Sequence, residues 1–198
     1  MKNVGVVDSW FYASSDTGGI VGQNDGTIDR CWSAVTLSTE SGSTGGVVGY
    51  NNGSVINCYN IGKVTALVFS GGVAGRNHGS IINCYNVGSI RPNGHGNNTG
   101  AVTGTGIKVG SATNCYYLYG CAMDGSGMYI SGAGNSVQGE DKADCIMYHT
   151  DFSTGEVAYL LQGQQTEHIW GQKIGVDPYP VLGGPKVVRN DNGEYVNE

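Results

Sequence analysis

The chain repeats itself with a period that a single structural coil can hold. Residues 18–37 read GGIVGQNDGTIDRCWSAVTL, residues 45–64 GGVVGYNNGSVINCYNIGKV, and residues 71–90 GGVAGRNHGSIINCYNVGSI. Residues 100–121, GAVTGTGIKVGSATNCYYLYGC, are a worn fourth copy with two extra residues before Ser111. The leading glycines Gly18, Gly45, Gly71 and Gly100 stand 27, 26 and 29 residues apart, and Cys31, Cys58, Cys84 and Cys115 keep the same rhythm. Before Gly18, the aromatic cluster Ser9–Tyr12 reads as the tail of an earlier copy. A fixed period of this kind is the mark of a repeat architecture, in which each unit buries its apolar face only against its neighbours.

Each copy contains three short extended pieces. One is Gly-Gly-Val-Val-Gly, one is Ser-Val-Ile-Asn-Cys-Tyr, and one centres on Val35, Val64 or Ile90. Between the first two lies Asn-Asp-Gly, Asn-Asn-Gly or Asn-His-Gly, residues that tolerate the positive φ of a tight reversal. Such pieces are too short and glycine-rich for helical repeats, and a propeller blade needs about 40 residues. The expected fold is therefore all-β: a right-handed parallel β-helix, or β-solenoid, of about four to five coils. A stack of β-hairpins or a sandwich is the rival, because Asn-Asn-Gly is also a strong hairpin signal. In a solenoid, Ile20, Val47, Val73 and Val102 form one buried column and Ile28, Val55 and Ile81 another. Equivalent residues then lie about 4.8 Å apart. The 35 glycines fit many tight turns, and 39 % apolar residues argue against a disordered linker.

Residues 1–147 are expected to form the solenoid and 148–185 a C-terminal cap containing one short helix, with 186–198 a polar linker or tail. Ser153 and Glu156 fit a capping box ahead of Val157–Leu161, predicting a helix at about 154–163. Trp170, Tyr179, Pro180, Val181 and Leu182 would then pack over the last coil, covering its exposed strand edge. The polar end points towards another module of a longer multidomain chain.

Charge narrows the partners. Ten Lys and Arg against sixteen Asp and Glu give a net charge of −6, with no basic run or stripe. A phosphate-binding surface needs such a stripe, so neither nucleic acid nor anionic membrane is an expected partner. No segment has the length and apolarity to insert in a membrane. The first ten residues lack the apolar core of an export signal.

The matching pattern Gly-Gly-Ile/Val-Val-Gly-x-Asn-x-Gly-Ser/Thr-Ile/Val-x-Asn-Cys-Tyr-Asn resembles the GLUG-type repeat of bacterial surface proteins. It covers residues 18 to about 121, best at 45–90. The resemblance implies an accessory region of a large secreted or wall-attached protein, such as an adhesin-like protein or an immunoglobulin-A-cleaving metallopeptidase. The zinc motif His-Glu-x-x-His of those metallopeptidases is absent from this chain, so their activity does not carry over. The segment 148–182 is similar to one that follows such repeats in secreted proteins.

The candidate site is an aromatic file. Trp32, Tyr59, Tyr85 and Tyr116 each follow a ladder cysteine. If the cysteines point inward, these rings point outward and line the wall, where aromatic faces stack on sugars or protein. The alternative is that they stack on one another or lie beneath the C-terminal segment. The cysteines read as buried thiols, since parallel Cβ vectors give poor disulfide geometry; a Cys121–Cys145 bridge is also open. Asn57, Asn83 and Asn114, with Asn60 and Asn86, read as rung-to-rung hydrogen-bonding amides. None of His78, His95, His149 and His168 stands at a metal spacing. Asp25 and Asp29 are the acids nearest a repeat centre, and Glu140, Asp141 and Asp144 form an acidic cluster that reads as a solvated loop. No cofactor or metal is expected.

The reading is a non-catalytic repeat module of a secreted or cell-surface protein, for display or adhesion, contacting glycan or host and other extracellular protein. An accessory, substrate-positioning region of a larger hydrolase is the second reading, and a polysaccharide-cleaving β-helix the third.

Overall fold

The computed structural model describes residues 1–93, 98–104, 110–124, 126–133 and 146–198. These fall into two compact units, Met1–Tyr148 and His149–Glu198.

The first unit is a parallel β-solenoid of about five turns. From Thr17 the chain runs through Thr17–Gly18, Val21–Asn24, Thr27–Asp29 and Trp32–Thr39, then begins the next coil at Ser43–Gly45. Each strand pairs only with its equivalents in adjacent coils, always in parallel, giving four ladders rather than three. The hairpin alternative fails at Val48–Asn51 and Ser54–Ile56. They flank Asn52-Gly53 yet pair with Val21–Asn24 and Thr27–Asp29 instead of with each other. Strand Gly5–Ala13 lies parallel on Trp32–Thr39, so the opening aromatic segment does belong to an earlier coil.

Identical register makes columns. Ile28, Val55, Ile81 and Ala112 stack in one ladder, and with Val47, Val73, Val102 and the four cysteines they form one buried core. Ile20 is only partly buried against it. A second core contains Val35, Leu37, Val64 and Ile90. Here the alignment by sequence slips by two residues: Val64 and Ile90 stack on Leu37, not on Val35. Gly62 is the residue that meets Val35, and a Cβ on it would lie 2.1 Å from the Val35 carbonyl oxygen.

The turn glycines act differently from expectation. Gly26, Gly53 and Gly79 do not have positive φ. Gly53 is required by proximity, since its Cβ would stand 2.0 Å from the carbonyl oxygen of Gly26 in the coil before. The corner is shaped by side chains. Asn24 donates to the Asn51 side-chain oxygen at 2.7 Å, and Asn51 donates to that of Asn77 at 2.8 Å, a buried amide ladder. Positive φ appears one corner later, at Asn57, Asn83 and Asn114 (53°, 52° and 50°) and at their equivalent Arg30 (55°). Asn and Asp reach this region at lower cost than other side chains.

The second unit holds helix Glu156–Gln162, whose Val157, Ala158 and Leu161 are buried with Phe152, Ile169, Trp170 and Val187. The capping box does not form. Gly155 occupies the N-cap with φ 87°, and Ser153 donates to Asp151 instead. Strands Trp170–Gly171 and Val181–Leu182 pair antiparallel. Residues 186–198, expected as a linker, fold into a hairpin of Val187–Arg189 on Tyr195–Asn197. The Asn190 side chain accepts from Asn192 and Glu194 across the turn, so polar residues close a hairpin there rather than leave a tail.

Candidate functional site

Among the described residues, Cys31, Cys58, Cys84, Cys115 and Cys121 are buried thiols not joined in a disulfide. The backbone N–H of Cys31 points at the Cys58 sulfur and that of Cys58 at the Cys84 sulfur, both at 3.3 Å. Contact with Cys58, reinforced by burial, pushes the Cys31 thiol far up, burial pushes Cys58 up, and burial raises Cys121 to about 12. Thiols held in that form are poor nucleophiles and poor metal ligands. Cys145, the suggested partner of Cys121, lies outside the described residues, as do His95 and the cluster Glu140, Asp141 and Asp144.

The aromatic file exists, but not as an open surface. Trp32 and Tyr59 stack with centroids 5.5 Å apart and planes 5° apart, and Tyr59 and Tyr85 at 4.9 Å and 6°. Tyr116 continues the register, its hydroxyl donating to the Asn114 side chain at 2.5 Å. Alternation does set these rings opposite the core cysteines. Yet Tyr59 is covered on both faces, by Trp32 and by Tyr85. Tyr59, Tyr85 and Tyr116 are only 4 %, 0 % and 1 % exposed; Trp32, at the end of the file, is half-buried.

Side chains that do reach solvent in register lie on another wall. In the three coils that begin at Gly18, Gly45 and Gly71 the segment x-Asn-x-Gly turns its asparagine inward and its two flanking residues outward. The first flanking residues are Gln23, Tyr50 and Arg76, which stack in the ladder Val21–Asn24, Val48–Asn51, Ala74–Asn77. The second are the exposed Asp25, Asn52 and His78. They contact one another along the wall: Asn52 donates to Asp25 at 2.9 Å, and Gln23 to Asp25 at 3.2 Å. The Tyr50 hydroxyl lies 2.9 Å from Nδ1 of His78, and the two rings meet edge to face. The Arg76 guanidinium sits 4.1 Å from the Phe69 ring centroid and 5.7 Å from that of Tyr50. The wall thus grades from acidic, through aromatic, to cationic. From the sequence, Asp25 and His78 figure only as an acid and a candidate metal ligand and the other four positions not as site residues at all, although their signal is present: they are the places where otherwise matching copies differ.

Other features carry less. Trp10 and Tyr12 stack on the exposed strand at the first coil, 6.0 Å apart, and Tyr119 contacts Tyr129 and Tyr148 at 4.8 and 5.4 Å. Asp29 is occupied by Lys2 at 3.3 Å and accepts from Asn57. Among the described residues no three His, Cys, Asp or Glu side chains gather as a metal site, and no helix is long and apolar enough to cross a membrane.

Comparison with known proteins agrees with this architecture. The profile of the GLUG motif matches residues 40–65, the stretch from the first coil's end through the second. A solved structure of similar fold is that of a Bacteroides ovatus protein described as a candidate immunoglobulin A1 protease. The match has a TM-score of 0.66 and 22 % identity, and covers 92 % of this chain. This chain spans 57 % of that protein's length. No curated protein matches the chain.

Proposed function

We propose that the chain is a non-catalytic recognition module of a larger secreted or cell-surface bacterial protein, and that it makes contact through the graded wall of Gln23, Asp25, Tyr50, Asn52, Arg76 and His78. One observation carries this reading. The inward Asn24, Asn51 and Asn77 are the same in three coils, while the outward residues beside them change chemistry in every coil. A wall needed only for stability has no use for that variation; a display surface does. The file of half-buried Trp32 and buried Tyr59, Tyr85 and Tyr116 then serves as a spine, stacked from Trp32 to Tyr85. Display for adhesion is the first reading. Positioning of substrate for a hydrolase elsewhere in a longer chain is the second, favoured by the name given to the Bacteroides ovatus protein and by the partial coverage of it.

The test is binding of the folded chain to a panel of glycans and extracellular matrix proteins, beside the double variant Tyr50→Ala, Arg76→Gln. Ligands retained by the wild type and lost by the folded variant support the wall. A ligand that binds both equally sinks it.

A further inference from the structure

Resting on that reading, we propose that the graded wall takes a saccharide whose carboxylate-bearing residue is followed by neutral sugars. The cationic end comes first. Arg76 has no carboxylate or carbonyl partner among the described residues, and its guanidinium is held over Phe69 at 4.1 Å. Stacking occupies a face of the guanidinium and leaves its N–H edge for a planar, bidentate acceptor, which a carboxylate provides. Holding the fork in place beforehand reduces the ordering cost of binding.

The next rung offers Tyr50, half-buried and fixed by His78. A ring braced in this way is a platform for the C–H face of a pyranose. One rung further, Gln23 and Asp25 present an amide and a carboxylate, and Asn52 stands beside them. These groups suit hydroxyls and reject a second anion. Three rungs span about 10 Å at about 4.8 Å per step, and one step is close to the length of one sugar unit in an extended chain. The ligand therefore reads acid over Arg76, neutral ring on Tyr50, hydroxyls at Gln23 and Asp25. A uniformly anionic polymer is disfavoured twice, by Asp25 locally and by the net charge of −6. A glutamate-rich peptide satisfies Arg76 but has no ring face for Tyr50.

Calorimetric titration of the whole chain with sialyllactose, lactose, trigalacturonate and a glutamate-rich peptide tests this. Sialyllactose is expected to bind best, and lactose about tenfold or more weaker, the loss of one charge-assisted bidentate contact. Arg76→Gln is expected to abolish the difference between sialyllactose and lactose, Arg76→Lys to restore part of it, and Tyr50→Ala to weaken both sugars. Added salt is expected to weaken sialyllactose alone. Equal binding of lactose, best binding of trigalacturonate or of the peptide, or no saccharide binding at all overturns the proposal. The wild-type comparison of the two sugars stands even if a variant fails to fold. If other ligands depend on Tyr50 and Arg76 while sialyllactose does not bind, the acidic saccharide falls and the recognition wall survives. If no ligand depends on those residues, both fall.

Discussion

Arg30 occupies a backbone position that its equivalents Asn3, Asn57, Asn83 and Asn114 fill with asparagine. All five have φ between 50° and 57°, where a long L side chain carries a steric penalty and asparagine carries less. Arg30 makes a partly exposed contact to Asp29 at 3.6 Å, the sort of ion pair that contributes little. Arg30→Asn should therefore stabilise the solenoid by about 0.5–1 kcal/mol, a rise of about 1–4 °C in Tm for a chain of this size. Arg30→Ala should not, because alanine keeps the penalty. Thermal unfolding of both variants checks this; an unchanged or lower Tm for Arg30→Asn contradicts it. The same residues show what sequence could and could not give at this scale. That Asn57, Asn83 and Asn114 serve structure was legible, but their left-handed conformation was not. Tight-turn chemistry pointed to the more obvious Asn-x-Gly, four to six residues earlier. For the ring file, period-two alternation gave the right face. Burial depended on stacking between coils, which no single strand encodes.

At the scale of an element, the Asn-x-Gly corner owes its glycine to the coil beside it. Gly26 and Gly53 occupy the same repeat position. A Cβ on Gly26 meets nothing within 4 Å, whereas on Gly53 it strikes the Gly26 carbonyl oxygen at 2.0 Å. Neither has positive φ. Gly26→Ala should thus be neutral or stabilise by up to about 1 kcal/mol through the unfolded chain. Gly53→Ala must push two backbones apart and should destabilise by about 3 kcal/mol or more. Denaturant titration of the pair decides between proximity and conformation: a conformational requirement would harm both variants alike. Strand positions were well marked by the columns Ile28, Val55 and Ile81. The third ladder was displaced by two residues at Leu37, since Val35 and Leu37 both face inward and alternation alone does not choose between them. The hairpin at 187–197 was hidden because few of its residues are apolar.

For the whole solenoid, stability should be a sum over adjacent coils, and the coil should be the unit that can be removed. Gly45 and Gly71 are register partners, as are Thr44 and Ser70. Deleting residues 45–70 joins Thr44 to Gly71 and removes one turn without shifting any remaining residue from its ladder. Ile28 would then stack on Ile81, Cys31 on Cys84, Trp32 on Tyr85, and Asn24 on Asn77. The shortened chain should keep its β-sheet circular dichroism and unfold cooperatively, losing about 1–4 kcal/mol, the share of an ordinary domain's stability that falls to about 26 residues. Deleting residues 45–57 removes half a turn and joins Thr44 to Cys58, so the coil before the junction and the coils after it can no longer pair in their native register. That variant should be unfolded or aggregated. Equal damage from the two deletions would mean that the coils are not independent units. The full-coil deletion also separates stability from recognition: it removes Tyr50 and Asn52 and brings Gln23 and Asp25 directly against Arg76 and His78. The acidic end then neutralises the cationic one, so a chain that folds normally should no longer distinguish sialyllactose from lactose.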